Sequence, residues 1–438
     1  MDDLKLETEN IDLGTDGVIK KADPAGYKYL GILQLDQILE KQMKSKIRDE
    51  YLRRVKKICK SKLNGGNLVD GINSWAVGVV RYGAGIIAWT KEELREMDRK
   101  TRKIMSLNRA LHVRSNVGRL YLPRKMGGRG LQGVEDSVGA ECSSLCEYIQ
   151  ESNEWMIGEA RKEGVIKPAE CLIDYKRRVR SEHLEAWKEK PLHGKFYRDT
   201  EDFADPEAWR WLRQGYLKKE TEGMIFAAQE QALRTNAIRH SIDKTSESPM
   251  CRKCKSAPES VKHIINGCTP LTQTEYKARH DKVACRLHWE LCKANGLEHT
   301  ERWYEHIPQK CQENENIKLL WDMTFFIDRI LNHNRPDISM YDKKDKKWKL
   351  IDIAVPFDTN VLNSESVKVE KYEELEFEIE RLYKTPTEVI PIVVGSLGNV
   401  SENLKPALDK LGMGNTLGSI QIAALLGSVH ILRKVLRL

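Results

Sequence analysis

Lys349-Leu350-Ile351-Asp352-Ile353-Ala354-Val355 is an apolar, β-branched run with one carboxylate inside it. Such a run reads as a strand. An unpaired carboxylate is costly to bury there, so Asp352 is expected to face a cation. Working outward, Asn334-Arg335-Pro336-Asp337 places a second carboxylate after a proline, at the start of the strand-like run Ile338–Tyr341. The charged segment Asp342-Lys343-Lys344-Asp345-Lys346-Lys347 between the two runs reads as a hairpin turn. That hairpin would bring Asp337 and Asp352 together on adjacent strands.

Downstream, Tyr372, Leu375, Ile379 and Leu382 recur at helical spacing. Lys368 lies one turn before Tyr372 on the same face, and Lys371 borders it. One of the two is expected to point at the sheet, whereas helix lysines ordinarily face water. Carboxylates hold Mg²⁺ because it is a hard cation that prefers oxygen. A metal so held activates water and offsets charge on a scissile phosphate. Asp337, Asp352 and a lysine are thus the minimal parts of a Mg²⁺-dependent phosphodiesterase. With Val389–Val394 as a further strand, the order strand, strand, helix, strand predicts a small α/β core over 276–415. The stretch 276–333 reads as helical, and Asp322 and Asp328 on it are candidate outer ligands, although N-terminal-turn or surface carboxylates account for them as well.

Cys251-x2-Cys254-x8-His263-x4-Cys268 has zinc-ligand spacing. Two cysteines on a tight turn supply one edge of a tetrahedron, and the following His and Cys supply the other. Arg252, Lys253 and Lys255 decorate the turn and suit nucleic-acid contact, although a purely structural Zn²⁺ staple accounts for the same spacing. Cys285-x2-His288-x3-Cys292 is also ligand-like, but on an amphipathic helix it reads as core. The ten cysteines, without an N-terminal apolar run, read as reduced thiols and metal ligands rather than a disulfide framework. No stretch of eighteen uncharged apolar residues suggests a membrane span. The net charge of +8 makes a polyanionic partner plausible on charge grounds alone.

Earlier in the chain, Gly26–Leu33 reads as one short strand, about 36–62 as a basic helix, Asn64-Gly65-Gly66 as a break and about 68–88 as an apolar helix. Thr90-Lys91-Glu92-Glu93 is a capping box opening a helix over about 91–107. Arg119–Pro123, Arg124 and Gly127-Gly128-Arg129-Gly130 form a basic, Gly-rich loop that lacks phosphate-loop spacing. The Lys and Arg residues of 36–130 are expected to make sequence-independent phosphate contacts. Residues 151–245 read as a helical linker, 246–275 as the knuckle and 416–438 as a final helix.

The chain resembles the C-terminal half of the polyprotein of non-LTR retrotransposons that carry a restriction-like endonuclease, the target-primed elements of the kind that insert in ribosomal RNA genes. Four segments carry the resemblance in order: Tyr27-Lys28-Tyr29-Leu30-Gly31; Arg119–Leu131; Gln231–Ala237 with Arg234; and Arg335-Pro336-Asp337 with Asp352. The resemblance implies an α+β multidomain chain: a palm remnant (1–35), helical thumb and post-thumb (36–150), linker, CCHC zinc knuckle and a PD-(D/E)xK-type nuclease. Ala354 stands where the usual motif has its lysine, and in this family the following helix supplies it, which fits Lys368 or Lys371. Also implied are Zn²⁺ and Mg²⁺ as cofactors, nucleic-acid contacts by Arg119, Arg124, Arg129, Arg234, Arg252, Lys253 and Lys255, a DNA target, element RNA, and a nuclear location after cytoplasmic synthesis. Met1-Asp2-Asp3-Leu4 resembles the end of the polymerase Asp-Asp motif, but the preceding polymerase segments are not in the chain, so DNA synthesis is not expected of it. The rival expectation is a non-catalytic nucleic-acid-binding remnant or domesticated protein.

Overall fold

The computed structural model describes residues 11–12, 18–19, 26–35, 37–162, 170–201 and 206–437. Most of the expected palm remnant, including Met1–Leu4, lies outside them. The architecture is mixed α+β, in two compact units. One comprises residues 1–61, 70–105 and 131–181; the other comprises 62–69, 106–130 and 182–438.

The first unit is helical around a short hairpin. Gly26–Leu33 is two strands rather than one: Tyr27–Tyr29 pairs antiparallel with Ile32–Gln34. Leu30 and Gly31 both have positive φ (46° and 88°), the backbone a two-residue hairpin turn requires. Helix α1 (Glu40–Lys60) buries Met43, Ile47, Tyr51, Val55 and Ile58, one stripe at helical spacing, and leaves most of its Lys and Arg residues on the other faces. Helix α2 (Lys91–Leu107) opens on the expected capping box, in which the Glu93 amide donates to Thr90 Oγ1 (3.3 Å) and the Thr90 amide to Glu93 Oε2 (2.8 Å). Helix α3 (Val134–Glu151) takes its N-terminal cap from buried Asp98, which accepts from the amides of Val134 and Glu135.

The second unit is built on one five-stranded sheet. Its strands are β1 (Cys311–Glu313), β2 (Ile317–Trp321), β3 (Ile338–Asp342), β4 (Lys347–Ala354) and β5 (Thr387–Val393), in that spatial order. The first three pairings are antiparallel and β4–β5 is parallel. Parallel neighbours need a crossover, and helix α7 (Val361–Tyr383) supplies it. Leu350, Tyr372, Leu375 and Ile379 form a small core between α7 and the sheet. The opposite residues, Ile351 and Ile353, join a larger core with Val283, Leu287 and Leu291 of helix α6 (Lys277–Ala294) and with Leu417, Ile420 and Ala424 of helix α9 (Leu417–Leu436). Alternation along β4 therefore puts Asp352 on the α7 face.

Two expectations need correction. Residues 276–333 are not one helical stretch: α6 ends at Ala294, and β1 and β2 follow. The β1–β2 turn is closed by Asn314 Oδ1, which accepts from the amides of Asn316 and Ile317. Alternating burial of Ile317 and Leu319 is the strand signal there. The final helix stands over Leu417–Leu436 as expected, but it and 246–275 pack together rather than alone. Cys251, Ile264, Ile265 and Cys268 share one core with Leu425, Val429 and Leu432 of α9, while the first half of α9 packs under the sheet. Gly414–Leu436 is long and apolar enough to cross a membrane, but 67% of its apolar window is buried inside the protein, as for a core helix.

Candidate functional site

Two constellations lie in the second unit. The first surrounds the paired aspartates. The β3–β4 register sets Ile338 opposite Ile351, and Asp342 opposite Lys347 across the expected turn. Asp337 immediately precedes Ile338, so it stands opposite Asp352 at the end of the ladder. Its Oδ2 accepts the Ile353 amide at 2.7 Å, which ties it to β4. Asp352 is almost fully buried.

Helix α7 answers that buried charge. Lys368, Lys371 and Tyr372 lie at i, i+3 and i+4, one face of a helix. Lys368 Nζ is ion-paired with Asp352 Oδ2, and Lys371 Nζ is 3.3 Å from Oδ1. Tyr372 Oη accepts from Lys371 Nζ at 2.8 Å. Its one proton serves Asp352 Oδ1 (2.8 Å) or the Arg335 carbonyl (3.0 Å). Burial pushes the Tyr372 hydroxyl well above the usual phenol range, and the Asp352 carboxylate adds to that. Both candidate lysines thus reach the same carboxylate.

Sequence reasoning missed two members of this site. Tyr372 was visible only as part of an apolar stripe. His280, near the start of α6, offers no motif spacing at all. Its Nε2 lies 3.1 Å from Asp337 Oδ2 and 3.2 Å from the Ile353 carbonyl, and its Nδ1 lies 3.1 Å from Asp281. Burial disfavours its charged form, but the Asp337 and Asp281 carboxylates outweigh that and raise its pKa to about 9. Burial likewise pushes Asp337 up, and His280, the Ile353 amide and Lys368 hold it below the ordinary carboxylate range. Asp322 and Asp328 lie on no helix: Lys310 and Arg335 hold Asp322, and Arg381 holds Asp328.

The second constellation is the Cys/His cluster. The Cys251 amide donates to the Ala257 carbonyl and the Lys255 amide to the Cys251 carbonyl, a tight turn in which Lys255 takes a positive φ of 57°. The turn presents both sulfurs to His263 and Cys268. Sγ of Cys251 and Cys268 are 3.8 Å apart, and Cys254 Sγ is 3.2 Å from His263 Nε2. All four ligand atoms lie within 4.8 Å of one another. A tetrahedron with Zn–S bonds of about 2.3 Å spaces two sulfurs roughly 3.8 Å apart, so the cluster could hold a metal such as zinc. Tyr276 braces it: its hydroxyl accepts from the Cys268 amide (2.9 Å) and donates to the Ile264 carbonyl (2.8 Å).

Of the other ligand-like group, His288 and Cys292 are buried, as expected on an amphipathic helix, and with His306 they bring three ligand atoms within 4.8 Å of one another. His288 Nδ1 lies 2.8 Å from His306 Nε2, Cys292 Sγ donates to Gln312 Oε1 at 3.0 Å, and Cys285 Sγ donates to the His306 carbonyl. A divalent ion bound there by one thiolate and two neutral imidazoles would seal a net positive charge in the core.

The three arginines of the Gly-rich loop are held in internal ion pairs. Arg119 and Arg129 are fully buried. Arg119 pairs with Glu230 and stacks over Phe226 and Trp187, with its guanidinium carbon 4.2 and 4.4 Å from the ring centres. Arg124 and Arg129 share Glu222, each at 2.9 Å. The glycines serve the fold here: Gly127 and Gly130 take positive φ, and a Cβ at Gly127 would meet the Trp209 ring at 2.7 Å. Arg234 is exposed but paired with Asp243, and Arg252 is paired with buried Glu259. Lys253 and Lys255 remain on the outside of the cysteine turn. A scan against protein-family models and a search of curated proteins both return no match to this chain.

Proposed function

We propose that the second unit is a metal-dependent DNA endonuclease that nicks target DNA, leaving a 3′ hydroxyl from which an element RNA is copied by a polymerase activity not expected of this chain. The observation that carries the reading is Asp352: an almost fully buried carboxylate opposite Asp337, met by Lys368 and Lys371 from one helix face. This carboxylate gathers two lysines and a tyrosine beside the β3–β4 pair. The donors suit a hard cation such as Mg²⁺. Asp352 Oδ2 makes no well-formed hydrogen bond although Lys368 lies against it, and Asp337 Oδ1 takes none among the described residues. Bound between Asp337 and Asp352, Mg²⁺ would acidify water and offset charge on the phosphate. Lys368 would then turn from Asp352 to the scissile phosphate, Lys371 and Tyr372 would keep Asp352 aligned, and His280 would hold Asp337 in register. Zn²⁺ in the Cys/His cluster would fix the basic turn against α9. A nuclear location and the retrotransposon origin belong to the same reading.

The second reading is a non-catalytic nucleic-acid-binding remnant. The same ion pairs favour it, because Asp352 is already neutralised by the chain's own lysines. Incubation with supercoiled plasmid separates the two. Nicking that requires Mg²⁺ and is lost in Asp352→Asn supports the nuclease; binding without nicking supports the remnant.

A further inference from the structure

Beside the Cys/His cluster lies a cleft of about 510 Å³ with five cations in its lining: Arg239, Arg252, Lys253, Lys434 and Arg437. They come from three elements: helix Asn236–Ser241, the cysteine turn and the end of α9. No carboxylate lines it. Arg252 is its floor. The guanidinium grips Glu259 through Nε–Oε2 (2.8 Å) and Nη2–Oε1 (2.7 Å), and reaches the Val435 carbonyl (3.4 Å) and Asn236 Oδ1 (3.5 Å). One side chain thereby ties all three elements together. Lys434 is paired with Glu275. Among the described residues Arg239, Lys253 and Arg437 form no ion pair; Arg239 only donates to the Thr245 carbonyl. Five cations against two carboxylates leave a surplus of three positive charges around one concave site. Placing like charges together costs free energy unless an anion joins them.

We propose that this cleft grips the phosphodiester backbone of a nucleic-acid strand; the proposal rests on the nucleic-acid reading above. The lining contains no aromatic ring on which a base could stack, so the contact is to the backbone and reads no sequence. Val435 is its one apolar residue, which gives an acidic peptide nothing to anchor a side chain. Lys253 sits between two metal-ligand cysteines, so metal loading would place it.

The test uses the full chain with Arg239, Lys253 and Arg437 all changed to Ala. Binding to a labelled DNA duplex is followed by anisotropy across a KCl series, beside Asp352→Asn, with bound zinc measured in each protein. Each lost phosphate contact lowers the slope of log affinity against log salt by about 0.9. The triple variant is expected to lose two to three such steps, with affinity down roughly 10–100-fold at 0.1 M salt and zinc retained. An unchanged slope and affinity would overturn the proposal, as would polyglutamate displacing DNA as well as unlabelled duplex does. Asp352→Asn separates the two claims. If the wild type does not nick but the triple variant loses slope, the nuclease falls and the cleft stands. If nicking is Asp352-dependent and the triple variant binds as wild type, only the cleft falls.

Discussion

At the residue scale, Arg119 shows what a basic motif residue can turn out to be. It is fully buried, paired with Glu230 and packed against two aromatic rings. Removing one partner of a buried ion pair strands the other, so Arg119→Ala is expected to cost about 3–5 kcal/mol. Urea unfolding measures this; a normal midpoint with weakened DNA binding would instead return Arg119 to the surface role its sequence suggested. Asp358 is a second residue invisible to motif reading. It accepts from the amides of Leu397 and Asn399 and lies against Ser396 Oγ, closing the turn after β5. Burial raises its pKa from 3.8 to about 6 despite those bonds. A carboxyl whose folded pKa is raised binds its proton more tightly in the native state. Its contribution is most favourable below about pH 4 and is lost as pH rises through about 6. Relative to Asp358→Asn, the wild type should lose stability between pH 4 and 6.5; parallel curves would contradict this.

At the element scale, the strands, helices and turn that frame the aspartates were legible because each obeys a local rule. β4 is apolar around one carboxylate, the turn after β3 is all charge, and α7 carries its stripe at helical spacing. The expectation of a helix over 276–333 failed because β1 has no β-branched residue and β2, Ile317-Lys318-Leu319-Leu320-Trp321, has one, while Gln, Glu, Lys and Leu suit a helix as well. His280 was illegible because only tertiary packing brings α6 to Asp337. The Cys/His spacing was legible, but its packing against α9 was not. That packing changes what a ligand mutation does. Cys254→Ser is expected to abolish stoichiometric zinc and to speed amide exchange in the C-terminal half of α9, with β3 and β4 unaffected. Exchange confined to residues 250–268 would show the module to be independent of the helix.

At the scale of the whole molecule, the second unit joins a sheet bearing Asp337 and Asp352 on neighbouring strands, a Cys/His cluster and a basic cleft through one apolar helix that runs between two cores. Charge is distributed to match. The arginines of the Gly-rich loop are spent on internal pairs, while among the described residues cations without an ion pair gather beside the Cys/His cluster. The account stands or falls on Asp352. Its most direct measurement is Mg²⁺-dependent nicking of supercoiled plasmid by wild type, Asp352→Asn and Lys368→Ala at equal DNA occupancy. Nicking is expected of the wild type, none of Asp352→Asn, and a rate lower by about 10²–10³ of Lys368→Ala, the loss usual for one transition-state charge stabiliser. Equal nicking by all three, or none by the wild type at saturating DNA and Mg²⁺, would contradict it.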